Sequence, residues 1–183
     1  MKYYLLLIIL AITTSCKETV PRKPTKVKTG SFFKESIKRN KELLAKEEKL
    51  IQKIILKDSI NLYIASSTGS SYYYNTKNEL ENYFPKTDDL VTFTYNIISL
   101  NNDTIYTKSD IGNINYKVDK DELFPGLRNS IKLLKQGETA TFLFPSSTVY
   151  GYHGDDNKIL PNIPVKSTIS ILNINKKIDS IQN

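Results

Sequence analysis

Tryptophan is absent from this 183-residue chain, cysteine and histidine occur once each, and alanine appears only at positions 11, 45, 65 and 140. A single cysteine, Cys16, cannot close an intrachain disulfide, so packing alone must hold the fold. With Cys16 the one cysteine and His153 the one histidine, a Cys–His nucleophilic pair could be formed by those two residues alone. His153 reads as a loop residue. The neighbouring Asp155-Asp156 pair has too few partnered acids for a calcium site. The apolar run at residues 3 to 12 is ten residues long, too short to span a bilayer.

That run follows Lys2 and precedes Thr13-Thr14-Ser15-Cys16, the layout of a lipoprotein signal peptide over residues 1 to 15, with Cys16 as the lipidated first mature residue. Lipid at Cys16 would anchor the chain in the cell envelope, and Lys17 suits sorting to the outer membrane, facing the periplasm. The net charge is +7, yet residues 17 to 60 hold 13 Lys/Arg against 6 Asp/Glu, while residues 61 to 183 hold 12 against 13. The surplus belongs to the tether. No nucleic-acid partner is expected, because the basic residues are not interleaved with aromatics on a folded surface and export removes the chain from nucleic acid. Two uses stay open: attraction to anionic lipid headgroups, worth up to ~1 kcal/mol per basic residue near the surface, and a merely solvated linker and helix face.

Residues 16 to 30 contain Pro21 and Pro24 and form a basic linker. Residues 31 to 60 form an N-terminal helix: Phe33, Ile37, Leu44, Ile51 and Ile54 or Ile55 recur near helical spacing, with no proline or glycine. Asn40, Glu47 and Glu48 interrupt the apolar stripe, which is too weak for a coiled coil. Packing on its own domain, loose homodimerisation and a spacer arm all remain open for it. Residues 61 to 183 form one domain with a core large enough to fold alone. Within it Leu62 to Tyr74 is β-prone around Gly69, and Val91, Phe93, Tyr95 and Ile97 alternate with polar residues as a strand. Asn101-Asn102-Asp103 turns the chain into Ile105-Tyr106, and Tyr116 and Val118 mark a further strand. Leu127, Ile131 and Leu134 share one face of a helix that starts at Pro125-Gly126 and stops at Gly137. Ala140, Phe142 and Phe144 then alternate with Thr139, Thr141 and Leu143, and Ile169 and Ile171 mark the last strand. Strands around a single short helix make an α+β domain.

Phe124-Pro125-Gly126-Leu127, Gly137-Glu138, Phe144-Pro145-Ser146, Tyr150-Gly151-Tyr152 and Ile159-Leu160-Pro161-Asn162, in this order and spacing, resemble the FKBP-type peptidyl-prolyl isomerases. Ser71-Tyr72-Tyr73-Tyr74-Asn75-Thr76-Lys77 and the lipid-type N-terminus are most similar to the gliding-motility-associated isomerase lipoproteins of Bacteroidota. The resemblance implies a bent antiparallel sheet wrapped around one short helix, an apolar pocket for a substrate proline, and no cofactor or metal. It places Tyr150 and Tyr106 as catalytic, with the Tyr150 hydroxyl on the amide carbonyl. Tyr95, Leu123, Phe124, Leu127 and Ile159 become the substrate-binding wall and floor. Thr107 stands where an aspartate is usual, Leu127 where tryptophan is frequent and Ser167 where a wall phenylalanine is common, which together imply a shallower and wider pocket. Expected partners are proline-containing segments of exported proteins and the membrane.

If Cys16 carries the anchor, Cys16→Ser releases the protein from the membrane fraction, because two or three acyl chains anchor stably where one is marginal. Fractionation of washed membranes checks this, and retention of the mutant would place the anchor elsewhere.

Overall fold

A computed structural model describes residues 29 to 177. Residue contacts divide the chain into two compact units, Met1–Ser36 and Ile37–Asn183. Among the described residues the first holds only the opening turns of helix α1 (Thr29–Lys57). Cys16 lies outside the described residues. No helix among them is long and apolar enough to cross a membrane.

The second unit is built on strands β1 (Ile64–Ala65), β2 (Ser71–Thr76), β3 (Leu90–Tyr95), β4 (Ile97–Ser99), β5 (Thr104–Tyr106), β6 (Ile114–Lys117), β7 (Thr139–Phe144) and β8 (Val165–Asn175). Two short helices, α2 (Lys108–Ile111) and α3 (Pro125–Ile131), complete it. All strand pairs are antiparallel in the order β1-β2-β7-β8-β3-β6, with β4 also on β8 and β5 on β4. The long strand β8 is the spine. It pairs with β7 along one edge and with β3 and β4 in succession along the other. Asn96 separates β3 from β4, and its side-chain oxygen accepts from Thr168 N at 2.7 Å. That bond replaces a ladder contact at the interruption, so one expected strand becomes two and the sheet can bend there.

Alternation sends Ala140, Phe142, Phe144, Val165, Ile169, Ile171, Val91, Phe93 and Tyr95 to one face, where Leu127, Ile131 and Leu134 of the α3 segment are fully buried against them. The helix is shorter than its apolar spacing predicts. It ends at Ile131, and Leu134 reaches the core through tight turns in which Leu133 N donates to Ser130 O and Leu134 N to Ile131 O.

A second feature concerns β7. Leu143 and Thr141, which alternate with the apolar Ala140, Phe142 and Phe144, are buried as well. From Ile37 onward α1 covers that side: Leu50 and Ile54 share a cavity of about 630 Å³ with Leu143, and Ile51 and Glu47 are buried. Of the three roles open for this helix, packing on its own domain is the one observed for these residues. Glu47 makes the attachment polar as well as apolar. Its two side-chain oxygens accept from Ser146 N at 2.8 Å and Ser146 Oγ at 2.7 Å. Farther along the same face, Thr139, Thr141, Thr168 and Ser170 form a hydroxyl ladder, and Lys108 of α2 donates to Ser170 Oγ at 2.9 Å.

The approach of α3 to β7 leaves no room for a methyl group at Gly126. A Cβ there would lie 2.8 Å from Phe144 Cδ1 and 2.9 Å from the Thr148 carbonyl oxygen. Gly126→Ala is therefore expected to destabilise the fold by ~1–3 kcal/mol through overpacking, read as a lower thermal midpoint. A midpoint equal to the parent's would show that helix and strand separate without cost.

Candidate active site

The N-terminal end of α3 is where three elements meet. Phe124 has extended backbone and hands the chain to Pro125, whose fixed φ and missing N–H suit the first helical position. The Phe124 ring then sits at the centre of an aromatic cluster: its centroid lies 5.4 Å from Tyr150, 6.0 Å from Phe144 and 6.2 Å from Tyr95, the last two edge-on. Such pairs add ~0.5–1.5 kcal/mol each beyond simple burial. Leu127, one turn into the helix, lies fully buried beneath them. Tyr95, Leu127 and Ile159 belong to the buried core cluster, and Tyr106, Leu123, Phe124 and Tyr150 pack against it, partly exposed. Of the seven side chains singled out in the sequence, Tyr95, Phe124, Tyr106 and Tyr150 are neighbours here, and Leu123, Leu127 and Ile159 belong to or pack against the same core.

Three phenol groups face one another there. Burial, then the nearby charges and hydroxyls of Tyr95, Asp155 and Tyr106, push the Tyr150 hydroxyl well above its usual range. Burial and Tyr106 raise Tyr95, and the hydrogen bond to Asp155 raises Tyr106. All three are protonated donors at any physiological pH. Among the described residues the Tyr106 hydroxyl is already committed, donating to Asp155 Oδ2 at 2.5 Å. Tyr95 and Tyr150 have no such hydrogen bond among the influences on them.

Asp155 escaped the sequence reading, which weighed it only as a metal ligand. Its Oδ1 accepts from Ile159 N at 2.7 Å and Asn157 N at 3.0 Å, while its own N–H donates to Ile159 O. One carboxylate thus shapes the loop that presents Ile159 and ties it to the end of β5. Lys158 reinforces the tie, its ammonium 4.8 Å above the Tyr106 ring and donating to Ile105 O. The signal present in the sequence was spacing: an Asp two and four residues ahead of the N–H groups it accepts from is a side-chain-mediated turn. Gly154 makes the turn possible with φ +78°, where a Cβ would stand 2.3 Å from Ile159 O.

One of the three noted departures has a local explanation. Thr107 caps α2, its Oγ1 accepting from Asp110 N and its N–H donating to Asp110 Oδ2, so the carboxylate that meets the pocket tyrosines comes from Asp155 instead. Ser167 is fully buried opposite Phe142, with an Oγ that finds no partner. Leu127 fills the floor as an aliphatic. His153 stands beside Tyr152 in the exposed part of the loop, ring centroids 3.8 Å apart.

The family model described as FKBP-type peptidyl-prolyl cis-trans isomerase matches residues 81 to 172. The chain belongs to that family. A probable FKBP-type peptidyl-prolyl cis-trans isomerase FkpA of Neisseria meningitidis serogroup B is 29% identical over 143 residues, which are 77% of this chain and 48% of that protein. The chain therefore spans about half the length of this curated relative. Among solved structures, a peptidyl-prolyl cis-trans isomerase from Pseudomonas syringae pv. tomato superposes with a TM-score of 0.59 at 14% identity, over 74% of this chain and 96% of that one. FkpA from Escherichia coli gives the same TM-score at 18% identity, over 96% of this chain and 82% of that one. Both show the FKBP fold.

Asp155 supplies a pH signature. Partial burial would raise its carboxyl, but the bonds from Tyr106 and from the Ile159 and Asn157 backbone outweigh burial and hold it below its ordinary 3.8. A carboxyl depressed on folding stabilises the protein above its unfolded value and loses that contribution as pH falls through the folded one. The wild type is therefore expected to lose stability below about pH 4 more steeply than Asp155→Asn. Denaturant titrations across that window check it, and parallel pH dependences would show the loop bonds to be energetically idle.

Proposed function

We propose that this chain catalyses cis-trans isomerisation of X-Pro bonds in exported proteins, held to the cell envelope by lipid at Cys16. The observation that supports this reading most is the Tyr150 ring set against Phe124 at the start of α3, its hydroxyl without an acceptor among the described residues. Rotation about the bond has a barrier of ~18–20 kcal/mol because the C–N bond has partial double-bond character. Water favours the planar, charge-separated amide. An apolar surround weakens that resonance, so a site need only bind the twisted amide better than either planar isomer.

Each residue has a part in this scheme. Leu127 and Phe124 hold the proline ring, Tyr95 and Ile159 close the wall, and Leu123 leads into the helix end. Tyr150 donates to the amide carbonyl. Tyr106, its hydroxyl committed to Asp155, acts through the edge of its ring and through the loop it fastens. A second reading is favoured by Ser167, whose small buried side chain replaces an aromatic wall: a proline-binding chaperone of an envelope machine such as gliding or secretion, with little turnover.

Cis-to-trans conversion of short X-Pro peptides by the purified protein decides between them. Tyr150→Phe removes one neutral hydrogen bond worth roughly 0.5–1.5 kcal/mol, or about two- to twelve-fold in rate. It should lower kcat with KM little changed if the bond tightens as the amide twists. Leu127→Ala should weaken substrate and transition state together and also reduce stability. An unmutated protein without turnover, whose affinity for Pro-containing peptides is abolished by Leu127→Ala, would leave the binding reading alone standing.

A further inference from the structure

We infer that Glu47, on the N-terminal helix, is a positioning residue for the isomerase site, acting on Tyr150 through Ser146. Glu47 and Ser146 are only 5% and 2% exposed. The Glu47 side chain takes both polar hydrogens that Ser146 offers, one from N and one from Oγ, at 2.8 and 2.7 Å. Among the described residues no lysine or arginine forms a salt bridge with it. Ser146 opens the one-turn helix Ser146–Thr148 that follows β7, and its remaining polar group, the carbonyl, is bonded on both sides of Tyr150: Val149 N donates to it at 3.0 Å and Gly151 N at 2.9 Å. One residue thus connects the helix to the backbone N–H groups of both residues that flank the tyrosine.

The bracket is stiff at its other end too. Thr148 O lies against Gly126 of α3, with no space for a Cβ between them, and Asn162 N donates to Gly151 O at 2.7 Å. Rotation or retreat of the turn at Ser146 can therefore be taken up only by the segment that carries the Tyr150 ring over Phe124. Removing the Glu47 carboxyl leaves a buried N–H and hydroxyl without acceptors, and the turn must move to regain them from water. A displacement of ~1 Å at a reacting group is enough to cost up to 100-fold in rate. The cavity of about 240 Å³ beside this contact, lined by Leu43, Leu44, Ser147, Gly151 and Tyr152 among others, is space into which the turn can move.

The inference rests on the isomerase reading, and its test includes a readout that needs no turnover. In the full-length protein with ring-labelled tyrosine, Glu47→Ala, Glu47→Gln and Ser146→Ala are compared with Lys53→Ala, an exposed change on the same helix. For folded Glu47→Ala, kcat is expected to fall roughly ten-fold or more with KM within two-fold, and the Tyr150 ring signal to move while that of Tyr63 does not. Glu47→Gln keeps one acceptor oxygen and Ser146→Ala keeps the backbone N–H, so each should lose roughly two- to five-fold and shift the same signal less. Lys53→Ala should match the parent. If Glu47→Ala does not fold, the two milder variants carry the test. A parent-like Tyr150 signal and parent-like kcat in the folded variants would overturn the inference. A shifted Tyr150 signal in a protein that never turned over would support the coupling and refute the enzyme reading alone.

Discussion

The tight approach of α3 to β7 at Gly126 is the constraint on which the rest depends. Helix and strand meet so tightly that only a hydrogen fits between the Gly126 backbone, the Phe144 ring and the Thr148 carbonyl. That contact fixes the depth at which Leu127 sits, and with it the level of the floor beneath Phe124 and Tyr150. It also forces curvature on the sheet, which must close around a helix placed so near its centre. The interruption at Asn96, bridged by its bond to Thr168 N, is where the β3–β4 edge accommodates the bend. A wider sheet or a longer helix would separate the aromatic rings that now touch.

β7 is buried on both faces. The inner face is filled by α3, and the outer face presents Leu143 and Thr141, one covered by α1 and the other satisfied by Thr168 and Asn75. Glu47 and Ser146 settle where the helix lies. A buried carboxyl that accepts two hydrogen bonds from one serine is costly to break and tolerates little sliding, whereas an apolar stripe alone would permit several registers. The helix is thus fastened at the strand end from which the site loop departs.

No group in the pocket needs to change its protonation for the proposed chemistry. Burial keeps the Tyr95 and Tyr150 phenols protonated and the bond to Asp155 keeps Tyr106 so, while the carboxylate is held ionised by the hydrogen bonds it accepts. Asp155 serves as a fixed negative point that orders Tyr106 and the backbone up to Ile159. A preorganised apolar surface with an uncommitted hydroxyl donor is what an amide rotation calls for, since the reaction moves charge within the peptide group and transfers no atom.

The strand and helix periods were legible in the sequence because they depend on local pattern, alternation for the strands and Phe-Pro-Gly-Leu for the helix start, whereas the FKBP fold and the seven candidate pocket residues were read through the resemblance that the motif order and spacing carry. The absence of a second cysteine likewise determined that packing must hold the fold. What the sequence could not supply was the partner of each polar residue. Glu47 read as a flaw in an apolar stripe and Asp155 as a failed metal ligand, since a carboxyl's role depends on which donors the fold brings to it from ninety-nine positions away, as with Ser146, or from forty-nine, as with Tyr106. The burial of Leu143 and the early end of α3 belong with them. Hydrophobic period reports which side of an element is apolar; tertiary packing decided whether the other side was covered as well.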